Sequence, residues 1–519
     1  MAWYDNAVFY HIYPLGLSGA PAENPYGDPV HRLNGLTGWI DHIKALGCTA
    51  LYIGPLFESV GHGYETTDYY KLDSRLGTNE DLAEYVRRCH EAGIRVILDG
   101  VFNHTGRDFF AFRDLKANRE RSRYVQWYCN VNFQGNNEYN DGFSYDNWGG
   151  YNLLVKLNLR NGEVRDYLLD AVRFWIREFD IDGLRLDAAD VLDFDFMRSL
   201  RRATEEAKPD FWLMGEVIHG DYARWANGDM LHSVTNYQLH KALYSGHNDR
   251  NYFEIAHTVQ RQLQMGAARL YSFVDNHDVE RIYTKLRNKA HYLPVHVLLY
   301  TLPGVPSIYY GSEFAIEGRK ERGSDASLRP QLDLEALKKG DPYYPELISA
   351  LGRVYQSESA LWYGEYRQLQ LTNTQYAFAR GDLRITVNCA DAPAGFDIPG
   401  EGSYTGALTG AKATAENGRL RVEIKADGGE IWIPDGEKRP DYAPVQHKAP
   451  EPEAPVTAAT PEPQRAAPGK RIEDMTVEEL QAEVLARLAA NGPVTDRMHR
   501  EVLENVYRDS LLNWVRSFR

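Results

Sequence analysis

The stretch RVILDGVFNH, residues 95–104, opens with apolar and β-branched residues and ends with Asp99, Asn103 and His104. Such a short apolar run indicates a strand that is buried on both faces and carries polar side chains at its carboxyl end. The same pattern recurs in seven further candidate strands, namely Val8–Tyr13, Ala50–Gly54, Gly183–Asp187, Trp212–Glu216, Ser233–Asn236, Leu270–Asp275 and Ser307–Tyr310.

Amphipathic helical stretches lie between several of these strands, as at Thr78–Ala92 and Val164–Phe179. Strands that alternate with helices are expected to form one parallel sheet with the helices packed on it. Eight such repeats predict an α/β fold containing a (β/α)8 TIM barrel, and a doubly wound sheet is the main alternative. In a barrel, the loops that follow the strands build the active site, so function is expected at the polar strand ends.

The sequence changes character beyond the predicted barrel. From about residue 366 to 435, helical patterns give way to short alternating strands with glycine-containing turns, which predicts a separate C-terminal antiparallel β domain. Nine of the 24 prolines then fall between Pro434 and Pro468, interleaved with Ala, Glu and Thr. This segment, residues 436–470, has little apolar surface to bury and is predicted to be a semi-rigid, solvated linker.

A short α-helical tail is predicted over residues 471–519. Thr476 and Glu479 form a capping-box pattern ahead of a helix in which Leu480 and Val484 recur at helical spacing. A second helix from about residue 494 has a broad apolar stripe made of Met498, Val502, Leu503, Val506, Tyr507, Leu511 and Trp514. The two helices either pack on each other or on the body, or join copies of the chain in a homo-oligomer.

Composition and charge argue against several classes of protein. The 519 residues contain 58 Lys and Arg against 73 Asp and Glu, and the formal net charge of −15 does not favour binding to nucleic acid or to an anionic membrane. We find no apolar run long enough to span a bilayer and no signal-peptide pattern after Met1, so we expect a cytoplasmic protein without a membrane partner. The four cysteines lack metal-binding or redox spacing, which agrees with a reducing compartment.

Three carboxylates, Asp187, Glu216 and Asp278, follow three of the candidate strands. A carboxylate after a strand commonly caps the next helix, but three of them beside two histidines and an arginine are difficult to assign to capping alone. Cleavage of a glycosidic bond needs one ionised carboxylate that attacks the anomeric carbon and one protonated carboxyl that releases the leaving oxygen. Arg185 lies two residues before Asp187 on the same side of the strand. We expect it to keep Asp187 ionised, which leaves Glu216 as the carboxyl with the raised pKa.

Four strand-end motifs resemble those of the α-amylase family, also called glycoside hydrolase family 13, namely DGVFNH at 99–104, GLRLD at 183–187, GEV at 215–217 and FVDNHD at 273–278. Supporting matches are HGYETTDYY at 62–70, LVKLNL at 154–159 and GVPSIYYGSE at 304–313. The resemblance covers about residues 1–435. It implies a catalytic barrel over residues 1–104 and 157–365, a small domain B insertion over 105–156 and an antiparallel β domain C over 366–435.

The same resemblance implies roles for the strand-end residues. Asp187 is expected to be the nucleophile that forms a β-glycosyl-enzyme, Glu216 the general acid and then base, and Asp278 the residue that stabilises the transition state. Further expected ligands of the sugar at the cleavage point are His104, His277 and Arg185, with Tyr64 as the aromatic stacking platform and Asp99 as a structural support.

Two residues after the eighth strand match a more variable feature of the family. Asp325 and Arg329 lie where some members that act on short substrates hold the non-reducing end of the sugar, and a surface ion pair is the alternative interpretation.

The chain also departs from the family pattern. Many members follow the nucleophile with a Lys-His pair that contacts the leaving group and a structural calcium, whereas Asp190 and Val191 occupy those positions here. Asn103 matches a position that ligates calcium in some members, but with so short a domain B we assign no calcium site. Ala188 follows the nucleophile where a Val is typical of members that prefer α-1,6 bonds, which favours α-1,4-glucans.

The motifs look closest to the neopullulanase, cyclomaltodextrinase and maltogenic amylase branch, although the first strand begins too close to Met1 for the N-terminal β domain usual there. The sequence therefore predicts a retaining α-glucoside hydrolase that acts on oligosaccharides, either maltooligosaccharides or cyclodextrins, and needs no organic cofactor. One alternative is an α-glucosyl transferase or isomerase of the same family, such as a trehalose synthase or a sucrose-processing enzyme. A remote one is an inactive protein that binds carbohydrate or a partner.

Overall fold

The computed structural model describes residues 2–266, 269–322, 324–436, 442–448, 472 and 475–491, together with Val502, Leu511 and Val515. Contacts within the chain divide it into two compact units, Met1–Pro450 and Glu451–Arg519. All of the candidate site residues belong to the first unit.

Eight strands of the first unit form one parallel sheet, consisting of β1 (Phe9–Ile12), β2 (Ala50–Ile53), β3 (Arg95–Gly100), β4 (Gly183–Leu186), β5 (Trp212–Gly215), β6 (Ser233–Val234), β7 (Tyr271–Phe273) and β8 (Val305–Tyr309). The strand order is β6-β5-β4-β3-β2-β1-β8-β7, and every pair is parallel. Thr235, just after β6, makes a parallel bridge to Tyr271 of β7 and closes the ring. The fold is therefore the predicted (β/α)8 barrel and not the doubly wound alternative.

The strands are buried on both faces because alternate side chains pack either inside the barrel or between the sheet and the helices. In β1, Phe9 points into the barrel, where its ring stacks on Trp212 of β5 with centroids 4.9 Å apart. Its neighbours Tyr10 and Ile12 pack in the larger cluster between the sheet and the helices. The interior is thus filled by apolar side chains, and polar residues gather beyond the carboxyl ends of the strands.

The outer layer contains eight longer helices, α1 (Gly38–Ala45), α2 (Asn79–Glu91), α3 (Gly162–Phe179), α4 (Phe194–Ala207), α5 (Tyr237–Asn248), α6 (Tyr252–Gln264), α7 (Tyr292–Thr301) and α8 (Tyr343–Ser357). A further helix of nine residues, Phe110–Asn118, follows β3 outside this layer. Helical segments of four residues are Pro14–Leu17, Ile282–Lys285, Leu334–Leu337 and Ala360–Tyr363. Helix α2 illustrates why they form: Thr78 caps it in a capping box with Asp81, and Leu82 and Val86 then recur on the buried face.

A small antiparallel sheet follows the end of β3. Its three strands are His104–Thr105, Tyr151–Lys156 and Asn147–Trp148, in that order across the sheet. A separate antiparallel pair, Phe57–Ser59 with Thr66–Leu72, follows β2. Because the small sheet begins at His104, it rises directly from the polar end of β3.

The C-terminal part of the first unit is an antiparallel β domain, built from β9 (Tyr366–Leu371), β10 (Gln375–Arg380), β11 (Leu383–Asn388), β12 (Ala394–Pro399), β13 (Ser403–Gly406), β14 (Lys412–Thr414), β15 (Arg419–Ile424) and β16 (Gly428–Pro434). One sheet has the order β9-β10-β11-β16-β13-β14, and β12 pairs with β15. We propose domain boundaries at 1–104 with 157–365 for the barrel, 105–156 for the insertion and 366–435 for this domain.

Residues 442–448, which fall within the predicted linker, belong to the first unit and are hydrogen-bonded to other parts of it. The Val445 N–H donates to the Leu408 carbonyl at 2.9 Å, and the N–H groups of Gln446 and His447 donate to the Glu346 carboxylate at 2.6 and 3.0 Å. Apart from residue 436, the rest of the predicted linker lies outside the described residues.

The second unit contains helix α9 (Val477–Asn491). The predicted capping box is present, since the Thr476 N–H donates to Glu479 Oε2 at 2.7 Å and the Glu479 N–H donates to Thr476 Oγ1 at 3.3 Å. Most of the predicted second helix lies outside the described residues, but Val502, Leu511 and Val515 are buried in one cluster with Leu480 and Val484 of α9. Within the described ranges, no helix has the length and apolar character needed to cross a bilayer.

Candidate active site

The backbones of Asp187 and Glu216 are fixed by the barrel strands that precede them. The Asp187 N–H donates to the Gly100 carbonyl at 3.0 Å, and the Glu216 N–H donates to the Leu186 carbonyl at 2.9 Å. Both bonds extend the parallel ladders of β3, β4 and β5 one residue beyond the strands. The two carboxylates are therefore carried by rigid elements at the same edge of the sheet.

Arg185 joins three carboxylates with one guanidinium group. Its Nη1 lies 2.9 Å from Asp99 Oδ1 and 2.9 Å from Asp187 Oδ1, and its Nη2 lies 2.9 Å from Glu216 Oε2. Asp99 also accepts a hydrogen bond from the Tyr52 hydroxyl at 2.8 Å. Charge-assisted bonds from the planar guanidinium hold Asp187 Oδ1 and Glu216 Oε2 in defined positions. Arg185 therefore sets the relative placement of Asp187 and Glu216.

Exposure separates the carboxylates that can touch a substrate from those that support them. The side chains of Asp187, Glu216 and Asp278 are 12%, 13% and 32% exposed, whereas those of Asp99 and Arg185 are 0% and 3% exposed. The expected structural role of Asp99 agrees with this burial.

A strained residue follows Asp187. Ala188 has φ 46° and ψ 43°, the left-handed conformation, which costs a non-glycine residue about 1–2 kcal/mol. This conformation accompanies a hydrogen bond from the Ala188 N–H to Glu216 Oε2 at 3.0 Å. Local strain at a strand end is thus coupled to the placement of Glu216.

Burial raises the pKa of Asp187 well above its usual value, and Arg185 opposes this change while Glu216 and Asp99 reinforce it. Burial likewise raises the pKa of Glu216, again opposed by Arg185 and reinforced by Asp278. The direction of the Asp187 pKa differs from the expectation that Arg185 keeps this carboxylate ionised. The physical reason is that one guanidinium faces three buried carboxylates, so the cluster retains protons that an isolated Arg–Asp pair would release.

Tyr64 and His277 connect this cluster to Asp278. The Tyr64 hydroxyl donates to Asp99 Oδ2 at 3.2 Å and lies 2.5 Å from His277 Nε2, which is 3.1 Å from Asp278 Oδ2. Burial lowers the pKa of His277 well below its usual value, so the ring is neutral at pH 7. We assign the proton to Nε2, because Asp278 is an acceptor and the Tyr64 proton is directed to Asp99.

Arg329 lies in the site and contacts Asp278 directly. Its Nη2 is 2.8 Å from Asp278 Oδ1 and 3.2 Å from Asp325 Oδ2, and its Nε donates to the His277 carbonyl at 3.0 Å. The ion pair between Arg329 and Asp325 that was the alternative interpretation is present, with side chains 12% and 29% exposed. Arg329 therefore links Asp325 to Asp278.

His104 is placed differently from the other expected sugar ligands. Its Nε2 lies 3.1 Å from the Tyr64 carbonyl, and its Nδ1 lies 3.2 Å from the amide nitrogen of Asn103. Burial lowers the pKa of His104 to about 4, so it is neutral at pH 7. Both ring nitrogens thus contact other protein groups, and the neutral His104 holds the backbone of Tyr64.

Three site residues were not predicted from the sequence. The Tyr237 hydroxyl, at the start of α5, lies 3.5 Å from Glu216 Oε1 and accepts a hydrogen bond from Asn276 at 3.0 Å. Tyr13 stacks on His277 with ring centroids 5.9 Å apart, and its hydroxyl donates to a loop carbonyl. Asn276 lies in the FVDNHD motif, and Tyr237 directly follows the sixth candidate strand. Both are uncharged polar residues at strand ends, and this position is the signal that identifies them in the sequence.

The positions where the chain was compared with the calcium-linked pattern of the family differ in burial. Asp190 and Val191 are both exposed, and Asn103 is buried against His104. In the described part of the chain, no three His, Cys, Asp or Glu side chains are grouped to hold a metal ion.

Comparison with protein families and curated proteins supports the resemblance. The family model for the α-amylase catalytic domain matches residues 21–343. A cyclomaltodextrinase from Bacillus sp is 32% identical over 411 residues, which cover 74% of this chain and 72% of that protein. An intracellular maltogenic amylase from Bacillus subtilis is 32% identical over 343 residues, which cover 62% of this chain and 57% of that protein.

Solved structures give the same result. A cyclomaltodextrinase structure superposes with a TM-score of 0.74 and 28% identity, covering 83% of this chain and 78% of that one. The debranching enzyme of Nostoc punctiforme superposes with a TM-score of 0.73 and 28% identity, covering 83% of this chain and 98% of that one. The similarity to the second structure includes almost its whole length.

Proposed function

The chain belongs to the α-amylase family and is a glycoside hydrolase, and from this premise we propose that it cleaves α-1,4-glucosidic bonds of maltooligosaccharides and cyclodextrins with retention of configuration. The observation that carries the proposal is the placement of Asp187 and Glu216 on one guanidinium at neighbouring strand ends. Asp278 is linked to the same cluster through Tyr64 and His277. The relatives named cyclomaltodextrinase and maltogenic amylase support the substrate class.

In the proposed reaction, Asp187 attacks the anomeric carbon while Glu216 donates its proton to the leaving glycosidic oxygen. A glycosyl ester on Asp187 results, and Glu216, now ionised, takes a proton from water as the water attacks the ester. Each step inverts the anomeric centre, so the net outcome is retention. A covalent mechanism of this kind uses carboxyl groups about 5–5.5 Å apart.

The raised pKa of Glu216 fits the first step of this scheme, in which Glu216 donates a proton. A protonated Glu216 is the required acid, and burial is what raises its pKa. Asp187 must be ionised to attack, so the proton that burial favours has to lie on Glu216 when substrate binds. Arg185 and the Ala188 N–H contact Glu216 Oε2, which leaves Oε1 to deliver the proton.

Transfer of the glycosyl group to a sugar, in place of water, is the second candidate function. Val191 and Ile218 are exposed apolar side chains on the loops that follow β4 and β5, 48% and 41% exposed. Val191 is four residues after Asp187 and Ile218 two residues after Glu216, and exposed apolar side chains this close to the carboxylates would favour the face of a sugar over water as the acceptor. Products longer than the substrate, without a net rise in reducing ends, would replace the hydrolase proposal by this one.

The decisive experiment is a product profile on maltose through maltoheptaose, pullulan and β-cyclodextrin, with the anomeric form of the first product read by NMR. We expect hydrolysis products that appear as the α-anomer. Glu216→Gln should lower kcat by about 10³-fold and leave sugar binding largely intact. Glu205→Gln on the exposed face of α4 is the matched control, expected to be as active as wild type. Full activity of Glu216→Gln would refute its assignment as the acid.

Two further proposals concern the whole protein. We propose that it acts in the cytoplasm, supported by the name of the intracellular maltogenic amylase of Bacillus subtilis. We also propose that the tail of residues 471–519 mediates a homo-oligomer, although its described apolar residues, Leu480, Val484, Val502, Leu511 and Val515, are buried in a cluster of their own.

A further inference from the structure

Trp148 is a large apolar side chain that remains 39% exposed beside the active site. Its ring centroid lies 6.0 Å from that of His104, with the two planes inclined by 37°. The same histidine holds the Tyr64 carbonyl, and the Tyr64 hydroxyl donates to Asp99, so a chain of contacts leads from Trp148 through His104 and Tyr64 to the cluster around Arg185. An exposed tryptophan offers a flat apolar face that is ready to be covered by a ligand.

The backbone around Trp148 is held in a defined turn. Gly149 and Gly150 have φ of 63° and 85°, a left-handed pair that links two antiparallel strands. The Gly150 N–H donates to Asn147 Oδ1 at 3.0 Å, and the Asn147 amide donates to Asn152 Oδ1 at 2.8 Å. A ring presented on a fixed turn loses little conformational entropy when it binds a ligand.

The base of this hairpin is fixed to the barrel. Its second strand, Tyr151–Lys156, pairs with the strand that begins at His104, with Lys156 opposite His104. The position of the Trp148 ring is therefore tied to the same strand end that positions the sugar site.

We propose that Trp148 is a stacking platform for a glucose unit that lies outside the unit held by Asp187 and Glu216, and that it sets a preference for longer α-glucan chains. The proposal rests on the proposed function. A glucose ring presents C–H groups on its faces and no charge, which matches an indole face. Chains too short to reach Trp148 gain nothing from it.

The test compares kcat/KM for maltoheptaose and maltotriose in wild type, Trp148→Ala and Trp148→Phe. We expect Trp148→Ala to lower the maltoheptaose value about tenfold and the maltotriose value far less, and Trp148→Phe to restore most of the loss. Phe253→Ala, which removes a 48% exposed aromatic ring on the outer helix α6, is the matched control. Maltoheptaose should also bind Glu216→Gln about tenfold more weakly when Trp148→Ala is added.

An equal loss on both substrates would show that Trp148 only supports the fold of the site and would overturn the platform. Unchanged kinetics and binding in Trp148→Ala would overturn it as well. Wild-type protein that hydrolyses no α-glucan would instead contradict the proposed function. The binding comparison in the Glu216→Gln background decides the role of Trp148 in that case too.

Discussion

Arg185 is the residue that determines the charge balance of the candidate active site. It is almost fully buried and bonds to Asp99, Asp187 and Glu216, so one positive charge faces three carboxylates. Removing water from such a cluster disfavours full ionisation, and Arg185 is the group that lowers the pKa values of Asp187 and Glu216 against the effect of burial. The ease with which the site reaches its reactive protonation state therefore depends on this guanidinium.

Arg185→Lys tests this dependence. An ammonium group is a point charge that cannot bond all three carboxylates in the fork geometry, so we expect kcat/KM to fall by about 100-fold or more. Because the opposing effect of Arg185 weakens, the pKa values of Asp187 and Glu216 rise, and both limbs of the pH profile of kcat/KM should move to higher pH. Arg173→Lys, on the exposed face of α3, should leave rate and profile unchanged. A pH profile in Arg185→Lys that keeps its wild-type position would contradict this account.

The sequence predicted which residues gather at the site better than it predicted how they interact. Asp187 and Arg185 are two positions apart on a strand, so their shared side follows from strand geometry. The net effect on the Asp187 pKa depends on burial and on Glu216, which belongs to another strand, and no local pattern contains that information. Arg329 is a similar case, because its contact with Asp278 depends on the path of a loop after β8.

At the scale of elements, the amino ends of the strands hold a second charged cluster around the buried Asp182, at the opposite end of the barrel from the proposed catalytic carboxylates. Asp182, just before β4, lies 2.7 Å from His90 Nε2 at the end of α2 and 3.0 Å from Arg95 Nη1 at the start of β3. It also lies 3.1 Å from Lys208 Nζ, which follows α4, and accepts the Val96 N–H at 2.9 Å. Asp182 thus ties two strands and two helices together at the face of a barrel that commonly serves stability.

Asp182→Asn should lower the free energy of unfolding by about 2–4 kcal/mol, because it removes a buried charge from Arg95 and Lys208. Burial raises the pKa of Asp182, but the bonds from His90 and the Val96 N–H and the charge of Lys208 outweigh this and lower it. The folded chain therefore binds this proton less readily than the unfolded chain, so the stabilisation is complete above the unfolded pKa of about 3.9 and is lost as the pH falls through the lowered value. Urea unfolding should show a constant difference from wild type between pH 5 and 8 that narrows below about pH 4.

The control for Asp182→Asn is Asp170→Asn, which breaks an exposed ion pair with Arg173 on α3 and should change the stability by under about 1 kcal/mol. The kcat of Asp182→Asn should remain near that of wild type at temperatures where the variant is folded, because the cluster lies at the opposite end of β4 from Asp187. Loss of activity in fully folded Asp182→Asn would mean that the two ends of the barrel are coupled.

Regular elements were predictable where the hydrophobic period extends over a whole strand or helix, as in β3 and α3. The hairpin of Asn147–Trp148 and Tyr151–Lys156 was not predicted, because its first strand has two residues and its turn depends on Asn147 side-chain bonds. The same limit applies to His104–Thr105, whose pairing partner lies in a distant part of the sequence. Such short elements form because the barrel brings their ends together.

At the scale of the whole molecule, the candidate active site and the tail belong to different compact units. All of the candidate site residues lie in Met1–Pro450, and the apolar cluster of the tail lies in Glu451–Arg519. The formal charge of −15 is spread over a chain whose proposed substrate is a neutral sugar, so the acidity serves solubility and not recognition.

A chain that ends at Pro450 should retain the wild-type kcat/KM on maltoheptaose within about twofold, because every residue of the site and its supporting contacts is kept. If the tail mediates a homo-oligomer, light scattering should show the truncated chain with a lower subunit number than the full chain. A chain that ends at Pro440 is the matched comparison. It also loses the bonds from Val445 to Leu408 and from Gln446 to Glu346, so its thermal midpoint should fall by a few degrees relative to the chain ending at Pro450. Failure of the Pro450 chain to fold would show that the tail belongs to the core of the enzyme, and an unchanged subunit number would remove the tail from the assembly.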